Sequence, residues 1–216
     1  MTKQTVRPRT PTTPTVWLLR CGVVAGPLFI AVWLVQALTR DGFDPTRHPL
    51  SLLSLGEWGW LQVANFVVTG ALYLACALGM RLVLHPGRAG TWGPILVAVN
   101  GIGLIVAGVF PTDPGAGFPP GAPAGAPEQI TWHGILHEVG FITASLAWTV
   151  ACLVFARRFA ALGQHGWTAA CIAAPVAVLV VSGWPDLDSL SLRLVIGTAI
   201  SFGFLTALAN RLTGES

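Results

Sequence analysis

Six apolar runs occupy most of this chain and leave little room for anything else. They cover residues 16–38, 61–84, 92–110, 133–155, 167–182 and 190–209. A helix needs about 20 predominantly apolar residues to cross a hydrocarbon core of ~30 Å. Lipid offers no hydrogen bonds to an open backbone, so runs of this length fold as helices. The pattern predicts an all-α, polytopic bundle of six transmembrane helices, the fifth being the shortest. Composition agrees: 53% of residues are hydrophobic and 10% charged, against about 25% charged in a soluble domain. Any chemistry must therefore sit between helices or in the loops.

The head, residues 1–15, reads "MTKQTVRPRTPTTPT". It is basic, rich in Thr and Pro, and lacks apolar periodicity, so it is expected to be a disordered tail. Residues 211–216 form a second short tail. A basic head before an apolar run also suits a signal peptide, but the first run is longer than an h-region of about 7–15 residues. It is read as a retained helix. Cys21, Cys76, Cys152 and Cys171 fall inside spans with no CxxC spacing, which suits packing rather than disulfides or metal.

Positive charge stays on the cytoplasmic side of membrane proteins. Lys3, Arg7, Arg9, Arg20, Arg81, Arg88, Arg157, Arg158 and Arg211, nine of the twelve basic residues, flank one set of span ends. Only Arg40, Arg47 and Arg193 flank the other. Both termini are therefore expected in the cytoplasm of a bacterial cytoplasmic membrane. Asp41, Asp44, Glu57, Asp113, Glu128, Glu138, Asp186 and Asp188 then gather extracytoplasmically, with Glu215 alone inside. Trp17, Trp92 and Trp167 mark inner boundaries, and Trp58, Trp60, Trp132 and Trp184 outer ones, as an aromatic belt does. Trp33 and Trp148 lie deeper and are expected to pack between helices. The net charge of +3 reports topology. No basic stripe with stacking aromatics points to nucleic acid.

The stretch "TWHGILHEVGF" puts His133 and His137 at the outer start of the fourth span. Residues four apart share a helical face, so two imidazoles can converge, whereas Glu138 points about 100° away. Three outer segments add polar groups. "TRDGFDPTRHPLSLLSLGEWGW" carries Arg47, His48 and Ser51; "PTDPGAGFPPGAPAGAPEQIT" carries Asp113 and six prolines; "SGWPDLDSLSLR" carries Asp186, Asp188 and Arg193. The second is long for a loop without secondary structure, which suggests a lid or disorder.

"RHPLSLLSLGEWGWLQVANFVVTGALYL", followed by "FPTDP" and "GILH", resembles the bacterial six-span membrane family known as domain of unknown function 998 (DUF998). The resemblance extends over nearly all six spans. It marks Arg47, His48, Ser51, Gly56, Trp60, Asn65, Asp113, Pro114, Gly134 and His137. His133 is not clearly within the pattern. The family brings no established reaction with it.

Three functional readings follow from these residues. The first is a membrane-embedded enzyme acting on a lipid or other amphipathic substrate. His48, Asp113 and His137 are its catalytic candidates, Arg47 its bidentate headgroup donor, and Ser51, Trp60 and Asn65 further binding positions. Zinc accepts His and carboxylate ligands, so His48, His133, His137 and Asp113 form a candidate metal set. The order of His and Ser, then Asp, then HxxxH is similar to that of membrane hydrolases related to alkaline ceramidases, which have seven spans and other spacings. Haem is disfavoured because an i, i+4 pair cannot approach a ring from opposite faces. The competing account of the same groups is hydrogen bonding, with His137 on Asp113 or Asp44.

The second reading is a transporter or headgroup-binding module, with Gln36, Asn65 and Asn100 along a path. Helix adhesion by these amides is favoured instead. "GVVAG", Gly22 to Gly26, fits small-residue packing as well. The third is structural: Arg47 pairing with Asp113, and His48 with Glu57 or Asp44. The partners expected are the bilayer and a lipid or small-molecule ligand, with oligomeric state left open.

Overall fold

The computed structural model describes residues 12–186 and 189–214. The tail over residues 1–11, Asp188 and Glu215 lie outside the described residues. Six helices are long and apolar enough to cross a membrane: α1 Thr13–Thr39, α2 Gly59–Leu84, α3 Trp92–Val109, α4 Trp132–Ala161, α5 His165–Ser182 and α6 Leu190–Gly214. A single 3₁₀ turn, Leu50–Ser54, interrupts the first connection. Among the described residues there is no strand.

The helices begin and end close to the apolar runs, because lipid burial and helix formation select the same residues. The clearest difference is α4, which continues past Phe155 to Ala161. Its last turns hold Arg157 and Arg158, and charged ends of long helices reach interfacial water without breaking the hydrogen-bond ladder. α1 begins at Thr13, within the expected tail, with Pro14 in the first turn where a missing N–H costs nothing.

Each helix packs on its neighbours in chain order, and α6 returns to α1, giving a closed ring. Small residues set the closest approaches. A Cβ on Gly22 would meet Cys76 Sγ at 2.3 Å, and one on Gly26 would meet the Phe202 carbonyl at 2.9 Å, so "GVVAG" seats α1 against α2 and α6. A Cβ on Gly103 would lie 2.6 Å from the Gly140 carbonyl, bringing α3 and α4 together backbone to backbone.

Buried amides reinforce these seams. Gln36 Nε2 and Asn65 Nδ2 both donate to Gln62 Oε1, at 2.8 and 3.2 Å, and Asn65 Nδ2 also reaches the Phe29 carbonyl at 3.1 Å. Asn100 Nδ2 donates across to the Ala144 carbonyl at 2.9 Å. The adhesive reading of these amides thus has its bonds. Trp33 and Trp148 are buried, whereas Trp17, Trp58, Trp60, Trp92, Trp132 and Trp184 are each more than half exposed near helix ends. The helix α5 stands apart from this pattern: only Cys171 and Pro175 are buried on it.

Candidate functional site

The end of the bundle opposite the termini carries most of the acidic residues and is closed by a folded roof. Its central element is the loop between α3 and α4. The Ala116 N–H donates to the Gly125 carbonyl and the Gly117 N–H to the Pro123 carbonyl, each at 2.7 Å. Phe118, 1% exposed, inserts among Trp33, Phe43, Leu52 and Leu53. The Pro- and Gly-rich loop is therefore packed and internally bonded rather than shapeless.

His48 and Asp113 fasten this roof. The Asp44 N–H donates to His48 Nδ1 at 2.8 Å, and His48 Nε2 lies 3.0 Å from the Ala116 carbonyl. An N–H must face a carbonyl, so His48 is the neutral Nε2–H tautomer with both ring nitrogens spent. Its ring sits between Phe43 and Phe118, with centroids 5.4 and 5.5 Å away. The expected partner Asp44 contributes its backbone rather than its carboxylate. That carboxylate instead accepts from the Thr46 hydroxyl at 2.7 Å and the Thr46 N–H at 2.9 Å. These bonds, aided by the charge of Arg47, hold Asp44 below the usual carboxylate range.

Asp113 is buried over the N-terminus of α4. Its two oxygens accept from the Thr131 hydroxyl at 2.5 Å and the Thr131 N–H at 3.0 Å. Thr131 in turn caps α4 by accepting from the Gly134 N–H at 3.1 Å. A Cβ on Gly134 would fall 2.1 Å from Asp113 Oδ2, so only glycine admits the carboxylate there. An anion at this position also complements the positive end of the helix. His133 Nδ1 approaches Thr131 Oγ1 at 2.9 Å and stands 4.0 Å from Asp113 Oδ1.

His137 makes a different choice from either expected carboxylate. Its Nδ1 lies 2.7 Å from the Ala107 carbonyl and 3.2 Å from the Phe110 carbonyl. Both partners only accept, so Nδ1 carries a proton, and in the neutral ring Nε2 is the nitrogen that can accept. The α4 start is thereby tied to the last turn of α3.

Beneath the roof lies a cavity of about 910 Å³ bounded chiefly by α4, α6 and the loops. Arg47, Ser51, Asp113 and His137 line it; so do Phe66, Phe141, Trp148 and Phe202 deeper down. From His137 to Trp148 on α4 is eleven residues, or ~16 Å at 1.5 Å per residue. That depth is about half a hydrocarbon core of ~30 Å. Below it Phe155, Phe159, Leu208 and Leu212 are fully buried, so the cavity is blind toward the termini. On its floor Asn100 Oδ1 and Trp148 Nε1 are buried without a hydrogen-bond partner.

Arg47 stands at the mouth, exposed, and its guanidinium has no hydrogen-bond or ion-pair partner among the described residues. Only its carbonyl is engaged, by the Ser191 hydroxyl at 2.7 Å. The expected pairing with Asp113 does not form, because Thr131 occupies that carboxylate. Arg193 is buried instead, donating to the carbonyls of Val181, Ser182, Trp184 and Asp186 at the end of α5.

The structure therefore divides the candidate residues. Arg47, Ser51, Asp113 and His137 share the cavity lining, while His48, Trp60, Asn65 and His133 lie off it. Trp60 is 59% exposed, and Asn65 is consumed in the α1–α2 seam. No group of three or more His, Cys, Asp or Glu among the described residues is arranged to hold a metal. The donor set explains this: both nitrogens of His48 and both oxygens of Asp113 already serve the fold.

Sequence reading did not single out the α6 wall, where Leu194, Gly197, Thr198 and Ser201 face the cavity. Their three- and four-residue spacing of small and hydroxylated side chains was the available signal.

The family model described as a protein of unknown function (DUF998) matches residues 23–211. The chain belongs to the DUF998 family. No curated protein and no solved structure matches it. In this DUF998 member, the motif residues Asp113, Gly134 and His48 hold the roof, and Arg47 and His137 border the cavity.

Proposed function

We propose that this protein binds an anionic amphiphile from the membrane leaflet at its acidic end, drawing the apolar part into the cavity and the headgroup to Arg47. The observation that carries this is an arginine, without a hydrogen-bond or ion-pair partner among the described residues, at the mouth of a largely apolar cavity one leaflet deep. A cavity of about 910 Å³ falls in the range of roughly 300–1,000 Å³ typical of small-molecule sites. A guanidinium suits phosphate, sulfate or carboxylate as a bidentate donor. The test is a titration of purified protein with short-chain phosphatidylglycerol and, separately, short-chain phosphatidylcholine, followed by thermal shift. Arg47→Ala should weaken the anionic ligand about tenfold, as the loss of a charge-assisted bond implies, and leave the zwitterionic one unchanged. Equal affinities for both lipids in wild type would defeat the reading.

A second reading, catalysis on the bound amphiphile, is favoured by the tautomer of His137. Its Nε2 is a proton acceptor fixed on a cavity-lining side chain, the requirement for a general base acting on a water. In that reading Asp113 and His48 are positioning residues that hold the roof and the first turn of α4, and no step passes through a metal. His137→Gln should then keep binding and abolish turnover of an ester- or amide-linked amphiphile. Unchanged turnover would remove His137 from the chemistry.

The orientation belongs to the same proposal. The excess of basic residues at the end bearing the termini supports placing that end in the cytoplasm. Labelling of a cysteine introduced at Ala122 from outside intact cells should succeed; exclusive labelling from within would reverse the assignment.

A further inference from the structure

A second cleft, of about 510 Å³, lies at the opposite end of the bundle, where the turn after α2 meets the last turns of α4. It is lined by Arg88, Ala89, Trp92, Val154, Arg157 and Arg158. We infer that this cleft binds a phosphate-bearing anion, the headgroup of an anionic lipid or free phosphate, between Arg88 and Arg157. This inference is independent of the cavity and of any activity there.

Several features converge on that chemistry. Arg88 and Arg157 come from distant parts of the chain, yet both face one concavity. Arg158 braces the wall, its Nη1 donating to the Arg88 carbonyl at 3.2 Å. The described acidic residues all belong to the other end, so no carboxylate among them neutralises the pair. Charge of one sign in a shaped cleft concentrates an anion far better than the same charge spread over a surface. Trp92, the first residue of the 18-residue helix α3, lines the cleft too, so the positive end of the helix dipole lies beside it.

Backbone geometry points the same way. Ala89, between Arg88 and the helix start, adopts φ 62°, a left-handed conformation that a side chain other than glycine rarely takes. The turn is held there by Arg81, whose Nη1 donates to the Gly90 carbonyl at 2.7 Å and the Thr91 hydroxyl at 2.8 Å. A fixed, unfavourable turn that presents a cation toward a cleft is a feature of ligand sites. Trp92 is 64% exposed beside it, at the level where indoles meet headgroups. Basic clefts between transmembrane helices at this depth suit the phosphate of a lipid headgroup.

The test uses full-length protein carrying Arg47→Ala, so that the cavity mouth does not contribute, and reads lipid retention by native mass spectrometry in a neutral detergent. Phosphatidylglycerol should be retained over phosphatidylcholine. Adding Arg88→Ala and Arg157→Ala should lower that retention by about fivefold for each arginine, the amount expected of one cation near an anionic surface. Arg20→Ala, a change at the same end but off the cleft, should alter it less than about twofold by the same reasoning. A melting shift with millimolar inorganic phosphate that the double substitution abolishes would identify free phosphate as a sufficient ligand; lipid retention without that shift would identify the lipid. Arg88 and Arg157 are exposed, so their loss leaves the fold standing. Undiminished retention in the double variant, an equal loss in Arg20→Ala, or binding of neither probe overturns the inference.

Discussion

Where α1, α2, α3 and α4 meet one another, polar residues pull helices together; where α4 and α6 face each other across the bundle, polar residues leave a space. The contrast lies in how each side chain is satisfied. Gln36 on α1 donates to Gln62 on α2, Asn65 on α2 donates to the Phe29 carbonyl on α1, and Asn100 bonds the next helix. Thr198 and Ser201 instead donate to the carbonyls of Leu194 and Gly197 in their own helix, each at 2.8 Å. A hydroxyl that bonds its own preceding turn makes no demand on a neighbour. An amide in lipid usually must find one. A membrane bundle can thus carry Ser and Thr on a cavity wall without collapsing it.

The sharpest test of the contrast is to enlarge one residue on each side. Gly103→Leu forces a side chain into a contact where even a Cβ would lie 2.6 Å from the Gly140 carbonyl. Overpacking of this kind costs about 3 kcal/mol or more, and size-exclusion chromatography should show little folded, monodisperse protein. Ser201→Leu, by contrast, extends into the cavity. It should change stability by less than about 1 kcal/mol while weakening amphiphile binding roughly tenfold or more. Equal losses of folded protein would mean that the space is not available to a side chain, and the comparison would fail.

Next in size is the roof. Asp113→Ala removes the acceptor of the part-buried Thr131 N–H and hydroxyl, and should destabilise the protein by about 1–3 kcal/mol. The check is the midpoint of thermal unfolding in detergent. Gln62→Leu, in the seam, deprives Gln36 and Asn65 of their shared acceptor; interhelical bonds in membranes are modest, so a loss of about 1–2 kcal/mol is expected. A roof effect smaller than the seam effect would place Asp113 outside the structural role assigned to it.

The six helices were readable because transfer into lipid is scored residue by residue, and each span carries its own apolar run. The small-residue contacts of Gly22 and Gly26 were readable for the same reason, since their spacing is local. The partners of His48 and His137 were not. Both bond backbone carbonyls, of Ala116, Ala107 and Phe110, and every residue type carries that acceptor, so no side-chain pattern announces it. Asp113 could be marked from its motif, yet its role depends on Gly134 admitting it to the first turn of α4. The cavity was the least legible feature, since its walls are drawn from all six helices and two loops that lie far apart in the sequence.

The smallest effect expected distinguishes the two ways in which the roof is fastened. Asp44 is held below its usual range by Thr46, so its carboxylate contributes stability above the unfolded-state value of about 3.9. That contribution disappears as the pH falls through the lower folded-state value. Thr46→Ala removes the hydroxyl bond and should lower the melting midpoint slightly at neutral pH, with the difference from wild type closing in acid. The backbone bond from Asp44 to His48 remains in that variant, so the loss should stay well below that of Asp113→Ala. If Thr46→Ala were as damaging as Asp113→Ala, the Asp44 turn rather than the capped start of α4 would be the main anchor of the roof, and the entry to the cavity would be governed from the α1 side.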